Sequence, residues 1–276
     1  TETNREISSS LAPDALVGHV LYERFLIEGD LSDPAAGGNC ASYLAKDLRH
    51  FCRKVIVRTL NHGREGSLRP KSFLDICGVL MNLGHPNIES ILETGKLFDG
   101  RPYAVTAYTS AHSLSQITTG GRRLVLDRVA QVVESVGEAL AAAHSRKIIH
   151  GDVAPANIMI PPPEQEAEGI RLVCFGTAWP DDPGHSRIAD MPPQSESLLY
   201  KSPEMIADDG RATPASDIYS LAAVAWRILT GDVPFKVAGP DKMRELIAQG
   251  IRVRPSDLRT DLSTDAEAIL PSALQY

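Results

Sequence analysis

The chain has 276 residues, 43% of them hydrophobic, enough apolar matter for one sizeable core or two modest lobes. Its formal net charge is -7 and neither half carries a long run of one sign, which leaves no footprint for nucleic acid or an anionic membrane surface. Four cysteines, Cys40, Cys52, Cys77 and Cys174, lack zinc-site spacing and are too few for a disulfide framework, so reduced, mostly buried thiols in a cytoplasmic setting are expected.

Residues 1–20 are small and polar and read as a flexible leader. From Leu21 to Leu60, short apolar runs at 25–27, 43–45 and 55–57 alternate, with the Gly/Ala/Pro-rich stretch DPAAGGN (33–39) between the first two. This predicts hairpin-like β structure around a turn. Phe73, Leu74, Cys77, Leu80 and Met81 form a helical stripe over 71–83, ended by Gly84 and Pro86. Strands are expected at 88–97 and 102–106.

Beyond residue 108 the pattern changes. Leu126, Val129, Val133, Val136, Leu140 and Ala143 mark a long amphipathic helix over 123–145. Residues 161–169 are a proline-led polar loop. Asp217–Leu229 is apolar almost all round, which predicts a helix buried on every side. Its apolar part is the longest such run in the chain and falls short of a bilayer span. Further helices are expected over 240–249 and from about Asp265. Strands first and helices afterwards imply an α+β protein of two lobes, 21–108 and 109–276.

Three segments carry a family resemblance: IIHGDVAPANIMI (148–160), LLYKSPEM (198–205) and ASDIYSLAAVAWRILTGDVPF (215–235). With HPNI (85–88) and RPYAVTAY (101–108) in order between the lobes, the sequence resembles the eukaryotic-like (Hanks-type) serine/threonine protein kinases of bacteria over nearly its whole length. The resemblance implies a small β-rich N-lobe with one helix and a larger helical C-lobe. Here the C-lobe is expected to be incomplete, and the chain, which begins with Thr, to be part of a longer protein, the cytosolic domain of a membrane-anchored one being an alternative. It also implies ATP and Mg²⁺ as cofactors and a set of site residues that can be checked one by one.

The glycine loop that admits phosphates to backbone N–H groups falls on Ala35, Gly37 and Cys40. Gly37 and Gly38 are the candidate cradle, and a plain turn is the competing reading. Ser42 and Ile56 stand where the family has the valine and alanine that contact adenine. The phosphate-gripping lysine becomes Arg58, longer and forked; a solvated strand arginine is the alternative. The helix glutamate that pairs with that lysine falls on Ile76, with Asp75 about 100° away round the helix, so the usual ion pair is expected to be absent.

In the catalytic loop, Asp152 matches the aspartate that accepts the substrate proton and Asn157 the asparagine that binds metal. Bracing of the loop by these two side chains is the competing reading. Gly151 and Ala154 replace the family's arginine and lysine. The metal-binding aspartate is Cys174, and a neutral thiol is a poor magnesium ligand. Asp181 and Asp182 read as solvated charges, and Ser195 and Ser197 as possible phosphorylation sites. Asp217 is expected to brace the catalytic loop, and Glu204 has a buried arginine partner in the family.

The expected function is a pseudokinase, a non-catalytic signalling or scaffolding module with a protein partner. It is expected to bind no ATP or bind it weakly, and to bind no Mg²⁺. A weakly active or atypical kinase and a nucleotide-binding switch are the alternatives.

Overall fold

The computed structural model describes residues 16–31, 40–60, 70–175, 196–206, 212–236, 240–251, 253–262 and 264–274. Alternation builds the first lobe. Strands β1 (Val20–Leu21), β2 (Phe25–Asp30), β3 (Cys40–Asp47) and β4 (Arg53–Leu60) place Phe25, Ile27, Tyr43, Ala45, Val55 and Val57 on one buried face. With β5 (Ile91–Lys96) and β6 (Pro102–Ala107) they form an antiparallel sheet in the order β1-β2-β3-β4-β6-β5. Leu16 is buried in the same cluster, and the Gly18 amide donates to the Ile27 carbonyl. Residues 16–20 therefore belong to this lobe rather than to a leader.

Helix α1 (Pro70–Met81) lies against β5 and β6 and buries Phe73, Ile76, Cys77 and Leu80. Gly84, at φ +58°, turns the chain out of it. The strand expected to start at 88 starts at Ile91 instead, because residues 87–89 pair with the second lobe. Leu172 donates to the Asn87 carbonyl at 2.8 Å, and the Glu89 amide donates to the Leu172 carbonyl at 3.2 Å.

The second lobe is helical. A short strand β7 (His112–Ser113) leads into α2 (Leu114–Ile117) and α3 (Leu126–Ser145), and strands β8 (Ile158–Ile160) and β9 (Arg171–Leu172) join β7 in a small sheet. Helix α3 starts at Leu126 rather than 123, and Val132, not Val133, is fully buried, so the stripe is turned slightly from the sequence reading. Residues 163–168, expected as loop, wind into a 3-10 turn.

After α4 (Pro203–Ile206) comes α5 (Pro214–Thr230), closed at its start by a Thr213–Ser216 capping box and at its end by Gly231 at φ +85°. As expected, α5 is buried nearly all round, with Trp226, Ala223, Val224 and Ile228 inaccessible. Helices α6 (Pro240–Gln249), α7 (Pro255–Leu258) and α8 (Thr264–Ala273) complete the lobe. Its core reaches across the cleft, since Ile76 and Leu80 of α1 belong to the same apolar cluster as Leu140 and Phe175. The result is the two-lobed α+β protein-kinase fold. Among the described residues, no helix is long and apolar enough to cross a membrane.

Candidate functional site

Strand periodicity puts Arg58 and Ile56 on the face of β4 opposite Val55 and Val57, towards the cleft. The register sets Arg58 across from Ser42 on one side and Ala104 on the other. Its guanidinium is fully engaged. Nε donates to Glu89 Oε2 at 3.0 Å and Nη2 to Glu89 Oε1 at 2.9 Å, a bidentate pair. Nη1 donates to Ser42 Oγ at 2.7 Å and to Cys174 Sγ at 3.4 Å. Thr106 Oγ1 adds a third hydrogen bond to Glu89, at 2.8 Å. The Arg58 and Glu89 side chains are only 11% and 14% exposed, so Arg58 is not a solvated strand arginine.

Ile76 is buried in the apolar cluster and Asp75 points to solvent, so neither meets Arg58. An acid outside the helix, Glu89, has taken that place. Spacing from His85 cannot reveal it, because Glu89 lies beyond the motif that serves as ruler. No local sequence pattern marks Glu89, which stands in the mixed polar and apolar stretch Asn87-Ile88-Glu89-Ser90-Ile91-Leu92.

Cys174 has φ +67°, the left-handed region in which a residue other than glycine is strained. Burial pushes its thiol up to about 11, against the opposing pull of Arg58, so it is protonated at neutral pH. Cys174 itself is half-buried, Cys77 is buried and Cys52 is exposed, so among the described cysteines the expectation of mostly buried thiols holds at Cys77 alone. The side chain of Cys40 lies outside the described residues.

The catalytic-loop residues come together around two carboxylates. Asp217, at the start of α5, accepts from the backbone amides of His150 and Gly151, each at 2.8 Å, and its Oδ2 lies 2.8 Å from His144 Nε2. The expected brace is present. Gly151 holds φ +69°, a conformation that suits glycine. His150 Nδ1 accepts from the Asp152 amide while Nε2 lies 2.9 Å from the Val173 carbonyl. That is the bonding of a neutral ring, and burial holds its pKa below the usual histidine range.

Asp152 accepts Lys201 Nζ at 2.7 Å and Ser197 Oγ on Oδ1, and Asn157 Nδ2 at 3.1 Å on Oδ2. Asn157 Nδ2 also donates to the Asp152 carbonyl at 2.8 Å. Burial works to raise this carboxyl, but the Lys201 ammonium and its hydrogen bond, then Ser197, outweigh it and hold the group below the usual carboxylate range. Lys201 escaped the sequence reading. Ala154 leaves the loop without a cation, and the replacement comes from 49 residues beyond Asp152. Glu204 accepts from Ser216 Oγ at 2.7 Å.

The structure thus brings Asp152 and Asn157 together and sets Arg58 against Cys174. Gly37, Gly38, Asp181, Asp182 and Ser195 lie outside the described residues. Among the described residues, no group of three or more His, Cys, Asp or Glu is arranged to hold a metal ion.

Comparison with known proteins agrees with the two-lobed kinase fold. The protein kinase domain family matches residues 36–275. The chain is 29% identical to serine/threonine-protein kinase PknB of Mycobacterium tuberculosis over 244 residues, covering 86% of this chain and 38% of that protein. It is 35% identical to serine/threonine-protein kinase PknF of the same organism over 220 residues, 74% of this chain and 43% of the relative. It is 28% identical to serine/threonine-protein kinase pkn3 of Myxococcus xanthus over 229 residues, 81% and 40% respectively. The chain therefore spans well under half the length of these relatives.

Proposed function

Because the chain belongs to the protein kinase domain family, we propose that it serves as a pseudokinase domain, one that engages a protein partner without efficient phosphoryl transfer. The observation that carries this reading is the 3.4 Å contact between Arg58 Nη1 and Cys174 Sγ. The position of the phosphate-gripping lysine faces the position of the metal-binding carboxylate. The cation at the first is neutralised by Glu89, and the second presents a protonated thiol.

Phosphoryl transfer depends on positioning and on neutralising charge over the phosphate oxygens. A positioned base such as Asp152 retains at most about 10²–10⁴ in rate. Loss of one electrostatic stabiliser typically costs about 10²–10³. The donor set does not fit Mg²⁺, which takes hard oxygen ligands: Cys174 supplies neutral sulfur where a carboxylate is needed, and Asn157 Oδ1 is left as the lone oxygen donor of the pair. No step through a metal follows from these residues. ATP binding, on the same reading, is absent or weak.

The test is a thermal-shift titration of the native domain with millimolar ATP, with and without Mg²⁺, beside a phosphotransfer assay. No shift and no turnover are expected. Turnover that disappears in Asp152→Asn would replace this reading with a second one, a weakly active kinase. That reading is favoured by an anionic Asp152 held beside Asn157.

A further inference from the structure

We propose that Glu89 is an internal counter-anion, a carboxylate supplied by the chain itself that occupies the cationic grip of Arg58 and so excludes phosphate-bearing ligands from the cleft. The inference rests on the pseudokinase reading and supplies its mechanism: the charge is still present, but withheld.

The geometry is that of a bound ligand. A forked guanidinium matches a carboxylate as it matches a phosphate, by two parallel N–H···O bonds. Glu89 takes both at 2.9 and 3.0 Å, with Thr106 Oγ1 at 2.8 Å on the same oxygen as the shorter bond. An incoming phosphate must displace an anion that is covalently present at high effective concentration.

Glu89 is also held from behind. Its amide donates to the Leu172 carbonyl of β9 at 3.2 Å, and the Asn87 side chain donates to the Ile170 carbonyl at 2.9 Å. The anion is therefore anchored to the second lobe while Arg58 is carried on the first. With Nη1 also reaching Cys174, the latch spans the cleft that a nucleotide would have to enter.

Removing the negative charge while keeping the shape tests the idea. Metal-free inorganic tripolyphosphate is the probe, titrated calorimetrically at low salt. Glu89→Gln is expected to bind it at least ~10-fold more tightly than the native protein, as expected when an opposing unit charge is removed from a partly buried site. The gain should fall with added salt and vanish in Glu89→Gln/Arg58→Gln. A folded Glu89→Gln protein with native affinity overturns the proposal, as does a gain that survives loss of Arg58.

A second variant, Arg58→Met/Glu89→Leu, strands no charge and keeps the proposal testable should the glutamine variant fail to fold. It should bind tripolyphosphate no worse than the native protein. A ten-fold loss would mean that Arg58 is already available, and the latch falls. Turnover of Mg·ATP by the native domain counts against the proposed function alone; the latch stands or falls on these affinities.

Discussion

Lys201 Nζ lies 2.7 Å from Asp152 Oδ1 and 2.5 Å from the Gly151 carbonyl, with the lysine 5% exposed. One ammonium thus clamps the loop that carries the candidate catalytic aspartate to the segment entering α4. Breaking one side of such a buried pair costs about 3–5 kcal/mol, because a charge is left uncompensated. Lys201→Met should lose that much stability in urea denaturation. Lys201→Met/Asp152→Asn should lose clearly less than the two single variants summed. Simple additivity would show that the two side chains do not depend on each other.

Acid sensitivity follows from two kinds of group. His150 is buried neutral, with its pKa below the usual histidine value. The unfolded chain therefore binds more protons below about pH 6.5, and stability falls from there downward. Asp47 is held low by Arg24, whose hydrogen bond outweighs burial, and Asp152 by Lys201. Their contributions are complete above about pH 4 and are lost as pH falls further through their folded values. Urea midpoints from pH 7.5 to pH 3 should fall in two stages. Asp47→Asn should flatten the lower one; an unchanged profile in that variant would exclude Asp47 as a source.

Cys174 should behave as an inert thiol. An ordinary cysteine is half ionised near pH 8.5, whereas burial moves this one up to about 11. Iodoacetamide labelling followed by peptide mass spectrometry should leave Cys174 almost unmodified at pH 8.5 while exposed Cys52 reacts. Equal labelling of the two at that pH would contradict the protonated state.

Restoring a helix glutamate should harm rather than help. Ile76 is 4% exposed in the cluster shared by the two lobes, and Arg58 already has its carboxylate. Ile76→Glu removes apolar contacts and buries a second acid, and should cost at least about 3 kcal/mol. A melting temperature equal to that of the native domain would show that α1 can shift to present residue 76 elsewhere.

The fold was legible because its signals are local. Period two over residues 25–57 and the three-four stripe of α1 each mark a face that must be buried, and Gly84 marks a stop. Asp152 and Asn157 were found because one short motif holds both, and Asp217 because its own motif opens α5. Glu89 and Lys201 were not, for one physical reason. A charge can be replaced from any segment that the fold brings within about 3 Å, and linear spacing carries no record of such a substitution. The family pattern marked the empty places at Ile76 and Ala154; only three-dimensional proximity identified what filled them. The start of β5 was misjudged for a related reason, since Asn87 and Glu89 exchange backbone hydrogen bonds with Leu172 of β9 instead of joining β6.

That seam between residues 87–89 and β9 fixes where the molecule can bend. A stretch hydrogen-bonded to the large lobe would stay with it in an opening motion, whereas β4 would move with the small lobe. Gaping of the cleft would accordingly stretch the Arg58–Glu89 ion pair, so that pair resists separation of the two halves together with the apolar cluster they share.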